Sequence, residues 1–208
     1  MNRIVQPEIL DGLSPDDPAA IGSRRDLRAI NKFMRGQSWI LDQLSSMNDV
    51  SKVVELGAGG GDLSNMIKQR LGSCEVVALD LIERPNSVIE NVSWESVSVL
   101  DYDGYSKDSV VVANLFIHHL ESDELRLLGE KLQNVRAVLF AEPYRSRVAL
   151  WLGRSILPFV NYVTRYDMIV SIKAGFIPGE IEGLLGADFQ WQESQGLFGG
   201  IRMKGSRG

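Results

Sequence analysis

The stretch Val53-Val54-Glu55-Leu56-Gly57-Ala58-Gly59-Gly60-Gly61-Asp62 constrains this chain more than any other. A short apolar run ends in an acid, a tight glycine cluster follows, and a helical stretch begins at once. That order describes a strand, a loop and a helix, and the loop lets backbone approach a ligand closely. Most glycine loops of this kind grip phosphate. Here Glu55 precedes the glycines and Asp62 follows them, and two carboxylates repel a pyrophosphate. They suit a ligand that carries positive charge. The phosphate fingerprints also fail on spacing. The dinucleotide pattern G-x-G-x-x-G meets Asp62 where its third glycine belongs, and no G-K-S or G-K-T tripeptide exists for a nucleoside-triphosphate loop. A bare turn without a ligand is a poor account, because adjacent glycines cost backbone entropy and offer nothing to pack.

A second apolar run, Glu75–Asp80, also ends in an acid. Asp80 stands about 20 residues beyond the glycine loop, the interval at which α/β nucleotide folds place a ribose-binding carboxylate. Alone, Asp80 is an ordinary loop acid or helix cap. Paired with the loop, it fits the ribose role better.

The rest of the chain alternates. Strands are expected near 52–56, 75–80, 96–100, 109–114 and 137–141. Helices are expected over 62–71 and from Ser122, as N-cap, to Asn134. Before them, residues 1–13 read as an irregular lead-in, and Pro15, Asp16, Asp17 and Pro18 open a helix. The helix restarts at a capping box, Ser23–Asp26, and stops at Gly36; a second runs from Ser38 to Met47. Residues 146–163 form an apolar helical insertion with Trp151, Phe159 and Tyr162. Thr164–Asp167 opens a further helix in which Asp167 is a cap, and Gly175 ends it. A short helix follows Pro178, and Phe189–Glu193 with Leu197–Met203 make a terminal hairpin.

This predicts a single α/β domain: a helical cap (1–49), a ligand-binding core (50–145), an insertion over the acceptor site (146–186) and a hairpin (187–208). Alternating strands and helices imply a mostly parallel sheet covered on both faces, with ligands at the carboxyl ends of the strands. Glu55, Asp80, Asp101, Asn114 and Glu142 all fall at those ends.

These residues resemble the class I S-adenosylmethionine-dependent methyltransferases. The resemblance lies in VVELGAGGGD (53–62) and VVALDL (76–81), and more loosely in Val99–Tyr102 and Val111–Leu115. It implies a Rossmann-like, seven-stranded sheet ending in an antiparallel pair. It implies S-adenosyl-L-methionine as cofactor, a sulfonium with no phosphate, which agrees with the acids around the loop. Glu55 and the backbone of Gly57, Ala58, Gly59 and Gly61 would face the methionine part, and Asp80 would take the ribose. Asp101 would approach the adenine amino group, with Leu81 and Tyr102 flanking the ring, and Asn114 would sit beside the transferred methyl. The pieces PEILDGLSPDDPAAIGSRRDLRAIN, NLFIHHL, AEPYRS, VTRYDMIVSIKAGF and GLFGG are similar to small bacterial methyltransferases encoded near polyketide or lipid-tailoring genes. That similarity implies a small-molecule acceptor.

Methyl transfer from a sulfonium asks mainly for alignment. A hydroxyl, phenol or acidic carbon must also lose a proton, and a base helps. The two histidines of the chain, His118 and His119, are adjacent and just follow strand four. One is read as the base or as orienting the acceptor, against the plainer account that one packs against the loop and the other faces solvent. No metal is expected, because adjacent histidines do not readily share an ion and no cysteine or third histidine joins them. Glu142 or Tyr144 could bond an acceptor hydroxyl, and Arg145 could hold a carboxylate or phenolate. Plainly read, Arg145 is half of a surface pair with a glutamate. Arg165 joins the rim if the insertion folds over it. The insertion reads as a lid with an apolar inner wall, as a dimerisation or membrane-surface helix flanked by Arg145, Arg147 and Arg154, or as ordinary core.

Composition narrows the partners. The 208 residues suffice for one domain with a sizeable core. A net charge of −5 argues against a nucleic-acid partner. The single cysteine, Cys74, excludes an internal disulfide and fits a reducing compartment. With no signal-peptide stretch and no span-length apolar run, a cytoplasmic protein is expected, monomeric or homodimeric. The expected acceptor is small and partly apolar: aromatic, polyketide-like or acyl. The competing functions are an RNA or protein methyltransferase and a non-catalytic, cofactor-binding partner subunit.

Overall fold

A computed structural model describes residues 1–14, 16–196 and 198–207. One seven-stranded sheet organises them. Its strands are β1 (Lys52–Leu56), β2 (Glu75–Asp80), β3 (Ser93–Ser96), β4 (Ser109–Asn114), β5 (Ala137–Pro143), β6 (Gln190–Gln195) and β7 (Gly200–Ser206). They lie in the order β3-β2-β1-β4-β5-β7-β6. β1 to β5 are parallel, and β7 is inserted antiparallel between β5 and β6. The expected sheet and terminal antiparallel pair are both present.

The central strands read as unbroken apolar runs because helices bury both of their faces. One face carries Val54, Leu56, Leu79, Val111 and Phe140. These pack with Leu125 and Leu128 of helix α4 (Ser122–Lys131) and Ile181 and Leu185 of helix α7 (Glu180–Leu185). The other face, with Val53, Val76, Val110 and Leu139, packs on Ile40 and Leu44 of α2 (Gly36–Ser46) and Leu63 and Ile67 of α3 (Asp62–Arg70). Helices α4 and α7 approach so closely that a Cβ at Gly129 would lie 1.7 Å from the Leu185 carbonyl oxygen.

Several expected boundaries move, each for a local reason. Helix α1 (Pro18–Met34) is continuous, capped by Asp17, which accepts from the Ala19 amide at 2.7 Å. The Ser23–Asp26 signature does not restart it. Ser23 is buried and accepts a bond from Thr164 Oγ1 at 3.0 Å, while Asp26 accepts from the Asn161 amide at 2.8 Å. Arg35, at φ 56°, ends α1, and Gly36 opens α2 instead of stopping α1. β3 precedes its expected place, because 97–101 turns back with the Asp101 and Tyr102 amides on the Ser98 carbonyl. Ser122 is not the cap of α4; Glu121 is, in a reciprocal box with Glu124.

The insertion folds as α5 (Arg147–Ile156) and α6 (Tyr162–Ala174). Asn161 caps α6 by accepting from the Thr164 amide at 3.0 Å, so Thr164 and Asp167 lie inside the helix. Asp167 is no cap of its own helix. It is buried and accepts from the amides of Ile9 and Leu10 at 2.7 and 3.1 Å. The insertion buries Ala149, Leu150 and Ile172 between α5 and α6, while its aromatic residues Trp151, Phe159 and Tyr162 are 68%, 84% and 62% exposed. The hairpin strands start and end later than expected, and the Pro15 helix start and the Leu197 strand start lie outside the described residues. Among the described residues, no helix is long and apolar enough to cross a membrane.

Candidate active site

The turn from β1 into α3 depends on glycine. Gly57, Gly59 and Gly61 have φ of 63°, 53° and 76°, a left-handed conformation that costs glycine nothing. The Ala58 amide donates to the Leu79 carbonyl at 3.0 Å, tying the loop to β2. The Gly59 amide donates to Asp80 Oδ2 at 2.7 Å, and Ile82 donates to Oδ1 at 3.2 Å. A Cβ at Gly59 or Gly60 would meet nothing within 4 Å, so bare backbone there faces open space. At Gly57 it would fall 1.9 Å from the Phe116 ring, which lies against the missing side chain. Leu81 is exposed beside Asp80, and Asp101 is exposed in the turn after β3. Tyr102 is half-buried and edge-on to Tyr105, with ring centroids 5.0 Å apart.

Glu55 corrects the simple charge argument. It is buried behind the loop and accepts a hydrogen bond from Ser64 Oγ. Burial pushes its carboxyl up to about 8, against an ordinary 4.5. Near neutral pH it is largely protonated. The acidity presented at the loop comes instead from the exposed Asp62 and half-buried Asp80.

The end of β4 forms the second wall. Leu115 takes φ 54°, rare for a branched side chain, and its amide donates to the Ala141 carbonyl at 2.8 Å. Asn114 faces the start of α2, where a Cβ on Gly36 would come 2.4 Å from Asn114 Oδ1. Asn31, Met34, Asn114, Leu115 and Arg202 line a small recess here. A single 3-10 turn, Ile117–His119, follows.

Glu142 governs that turn. Fully buried at the end of β5, its Oε1 accepts from the Phe116 and Ile117 amides at 3.0 and 3.1 Å. Its Oε2 lies 2.7 Å from His118 Nδ1. Glu142 is therefore committed to protein donors and is not aimed at an acceptor hydroxyl. His118 is 2% exposed. Burial opposes its charge, but the carboxylates of Glu142 and Glu8 outweigh burial and raise it to about 9. His118 is thus enclosed by protein, with Nδ1 on Glu142 and Nε2 toward Glu8, and presents no ring nitrogen to solvent. His119 is half-buried, stacks on His118 with ring centroids 4.3 Å apart, and has Asp11 Oδ2 4.0 Å from its Nδ1. Burial and the neighbouring His118 hold His119 below its ordinary value.

Three further rim candidates, Arg145, Tyr144 and Arg165, have protein contacts of their own. Arg145 is buried, donates to the carbonyls of Gly175 and Met1, and pairs with Glu180. The pair with Glu180 is a largely buried one rather than a surface pair. Tyr144 is half-buried against the core, its amide on the Gly199 carbonyl at 2.8 Å. Arg165 is exposed, with its guanidinium on the Val160 carbonyl at 2.9 Å.

Sequence reasoning missed the N-terminal segment. Residues 3–11 run along α6 and reach the turn after β4 as a strap. Arg3 donates to the carbonyls of Ala174, His118 and Leu120 at 2.8, 3.0 and 2.7 Å. Glu8 and Asp11 arrive beside the histidines, and Glu8, His118 and His119 offer ligand atoms within 4.8 Å of one another. The sequence signal was only two acids in a stretch without periodicity.

The architecture and the loop together define the class I methyltransferase fold. The plantazolicin methyltransferase BpumL, solved with a pentazolic desmethylPZN analog and SAH, shares it at a TM-score of 0.71 and 12% identity, over 92% of this chain and 91% of its own. The pyocyanin biosynthetic protein PhzM gives a TM-score of 0.62 at 18% identity, over 93% of this chain and 60% of its own. Human N-acetylserotonin methyltransferase, in complex with SAM, gives 0.60 at 14% identity, over 95% of this chain and 61% of its own. No protein-family model matches the sequence, and no curated protein matches it significantly. At these identities the likeness is one of fold.

Proposed function

We propose that this protein binds S-adenosyl-L-methionine at the β1–α3 loop and transfers its methyl group to an oxygen or activated carbon of a small, partly apolar molecule. The observation that carries the reading is the Asp80–Gly59 contact: a carboxylate at the end of β2 fixed against a left-handed glycine loop with open backbone. In this reading Gly57, Ala58, Gly59 and Gly61 hold the methionine part, with the buried Glu55 supporting the loop. Asp80 accepts the ribose hydroxyls, and Leu81, Asp101 and Tyr102 meet the adenine. The bound cofactor supplies an electrophilic methyl on a sulfonium. The acceptor is placed beside the carboxyl end of β4, next to Asn114, and alignment there supplies much of the rate. The SAH and SAM in the solved complexes of BpumL and the human enzyme support the cofactor assignment. The plantazolicin and N-acetylserotonin substrates in those names support a small acceptor.

The test is transfer from methyl-labelled S-adenosylmethionine to a panel of phenols, hydroxy acids and acyl compounds, with RNA and protein alongside. Label in the small-molecule fraction is expected. Label in RNA or protein would overturn the acceptor class. Binding of the cofactor with no transfer alone, and transfer restored by a co-purifying second chain, would make the protein a partner subunit.

A further inference from the structure

The polar cluster where the strap meets the histidine turn lies outside the cofactor contacts proposed above. His118 Nε2 is buried and has no hydrogen-bond partner among the described residues. It is directed at Glu8 Oε1, 3.7 Å away, too far for a hydrogen bond. A buried polar atom left in that state calls for an explanation, and an unseen ion is one of the ordinary ones. The other ring nitrogen, Nδ1, is held by Glu142 at 2.7 Å, and Glu142 is itself fixed by two backbone amides. A locked carboxylate behind an imidazole is the arrangement that orients metal-ligating histidines. The 3-10 turn also overcomes the difficulty that adjacent histidines pose. Their rings lie 4.3 Å apart, tilted by 33°, and so stay on one side of the chain.

We propose that Glu8, His118 and His119 form a three-ligand site for a divalent first-row cation such as zinc, with solvent completing the coordination. Ligand atoms around tetrahedral zinc stand about 3.4 Å apart at ordinary bond lengths. The 3.7 Å between His118 and Glu8 therefore has to close by only a few tenths of an ångström. All three ligand groups already lie within 4.8 Å of one another. His118 Nε2 would release its proton as the ion binds, so that the ion takes over the positive charge that Glu8 and Glu142 favour there, and a nitrogen–oxygen set without sulfur suits zinc, cobalt or nickel. No cysteine or third histidine joins the pair, but the carboxylate of Glu8, far away in sequence, does. The ion would clamp the N-terminal strap onto the turn after β4.

Cobalt(II) is titrated into the full-length chain, freed of any affinity tag and stripped with chelator. The expected result is one saturable equivalent, with the visible bands of four- or five-coordinate cobalt, displaced by zinc. Because His118 is buried and its replacement endangers folding, the half-buried Glu8 and His119 carry the test. Glu8→Gln and His119→Gln are each expected to weaken cobalt by more than about tenfold, with an unchanged far-ultraviolet dichroism spectrum. No saturable binding, or equal binding in both variants, would overturn the site. His118 would then be a protonated imidazole held between Glu142 and Glu8.

Discussion

Replacement of Glu55 by glutamine exposes the electrostatics of the loop. The carboxyl titrates near 8 in the folded protein and near 4.5 when exposed, chiefly because burial disfavours its charge. A folded-state value above the unfolded one gives a contribution that is fully present below pH 4.5 and is lost as pH rises through about 8. Between those limits the unfolded chain has released the proton and the folded chain has kept it. Stability should then fall by about 1.4 kcal/mol per pH unit from this group, or roughly 3 kcal/mol between pH 5 and 7. Glutamine has the shape of the protonated acid, keeps an oxygen for Ser64 Oγ, and does not titrate. Urea unfolding of both proteins from pH 5 to 9 isolates the group, since other titrations cancel in the difference. The native protein is expected to lose its advantage as pH rises, and Glu55→Gln to be the more stable above pH 7. Parallel stability curves would refute the reasoning and return Glu55 to a charged, ligand-facing role.

Asp80→Ala removes the acceptor for the Gly59 amide and the proposed ribose contacts. S-adenosylhomocysteine affinity should fall by roughly ten- to a hundredfold, as measured by calorimetry, the size of a lost charged hydrogen bond. Gly57→Ala meets both φ 63° and the Phe116 ring, so ligand binding should be abolished even where a dichroism spectrum shows a folded chain. Gly129→Ala drives a methyl into the Leu185 carbonyl and should cost about 2–3 kcal/mol, read as a fall in Tm. Arg145→Ala leaves Glu180 without its buried partner and should destabilise by about 3–5 kcal/mol while KM for the acceptor holds. A raised KM in a stable variant would put Arg145 back at the acceptor.

The legible parts of the fold were those written as local pattern. β1, β2 and β4 fall where the sequence places them, because both faces are buried and every residue in the run is constrained. The glycine loop and Asp80 were legible for a related reason: left-handed backbone and a fixed interval leave a mark in the sequence. β3 was misplaced because Ser93–Ser96 is a polar edge strand with little burial, while the buried Val99 sits in a turn. Ser23 and Thr164 looked like helix caps, yet their hydroxyls join α1 to α6, a contact across 141 positions that no local pattern encodes. The roles of Glu142, Arg145 and Asp167 were hidden for the same reason, since their partners lie far off in sequence. The burial of Glu55 was equally invisible, as an acid after an apolar run reads the same whether it faces solvent or Ser64.

Calorimetric titration of the full-length chain with S-adenosylhomocysteine, and in parallel with NAD, tests the central claim most directly. The loop geometry and Asp80 predict one site for S-adenosylhomocysteine, weakened in Asp80→Ala, and no heat with NAD. Heat with NAD and none with S-adenosylhomocysteine would contradict the account.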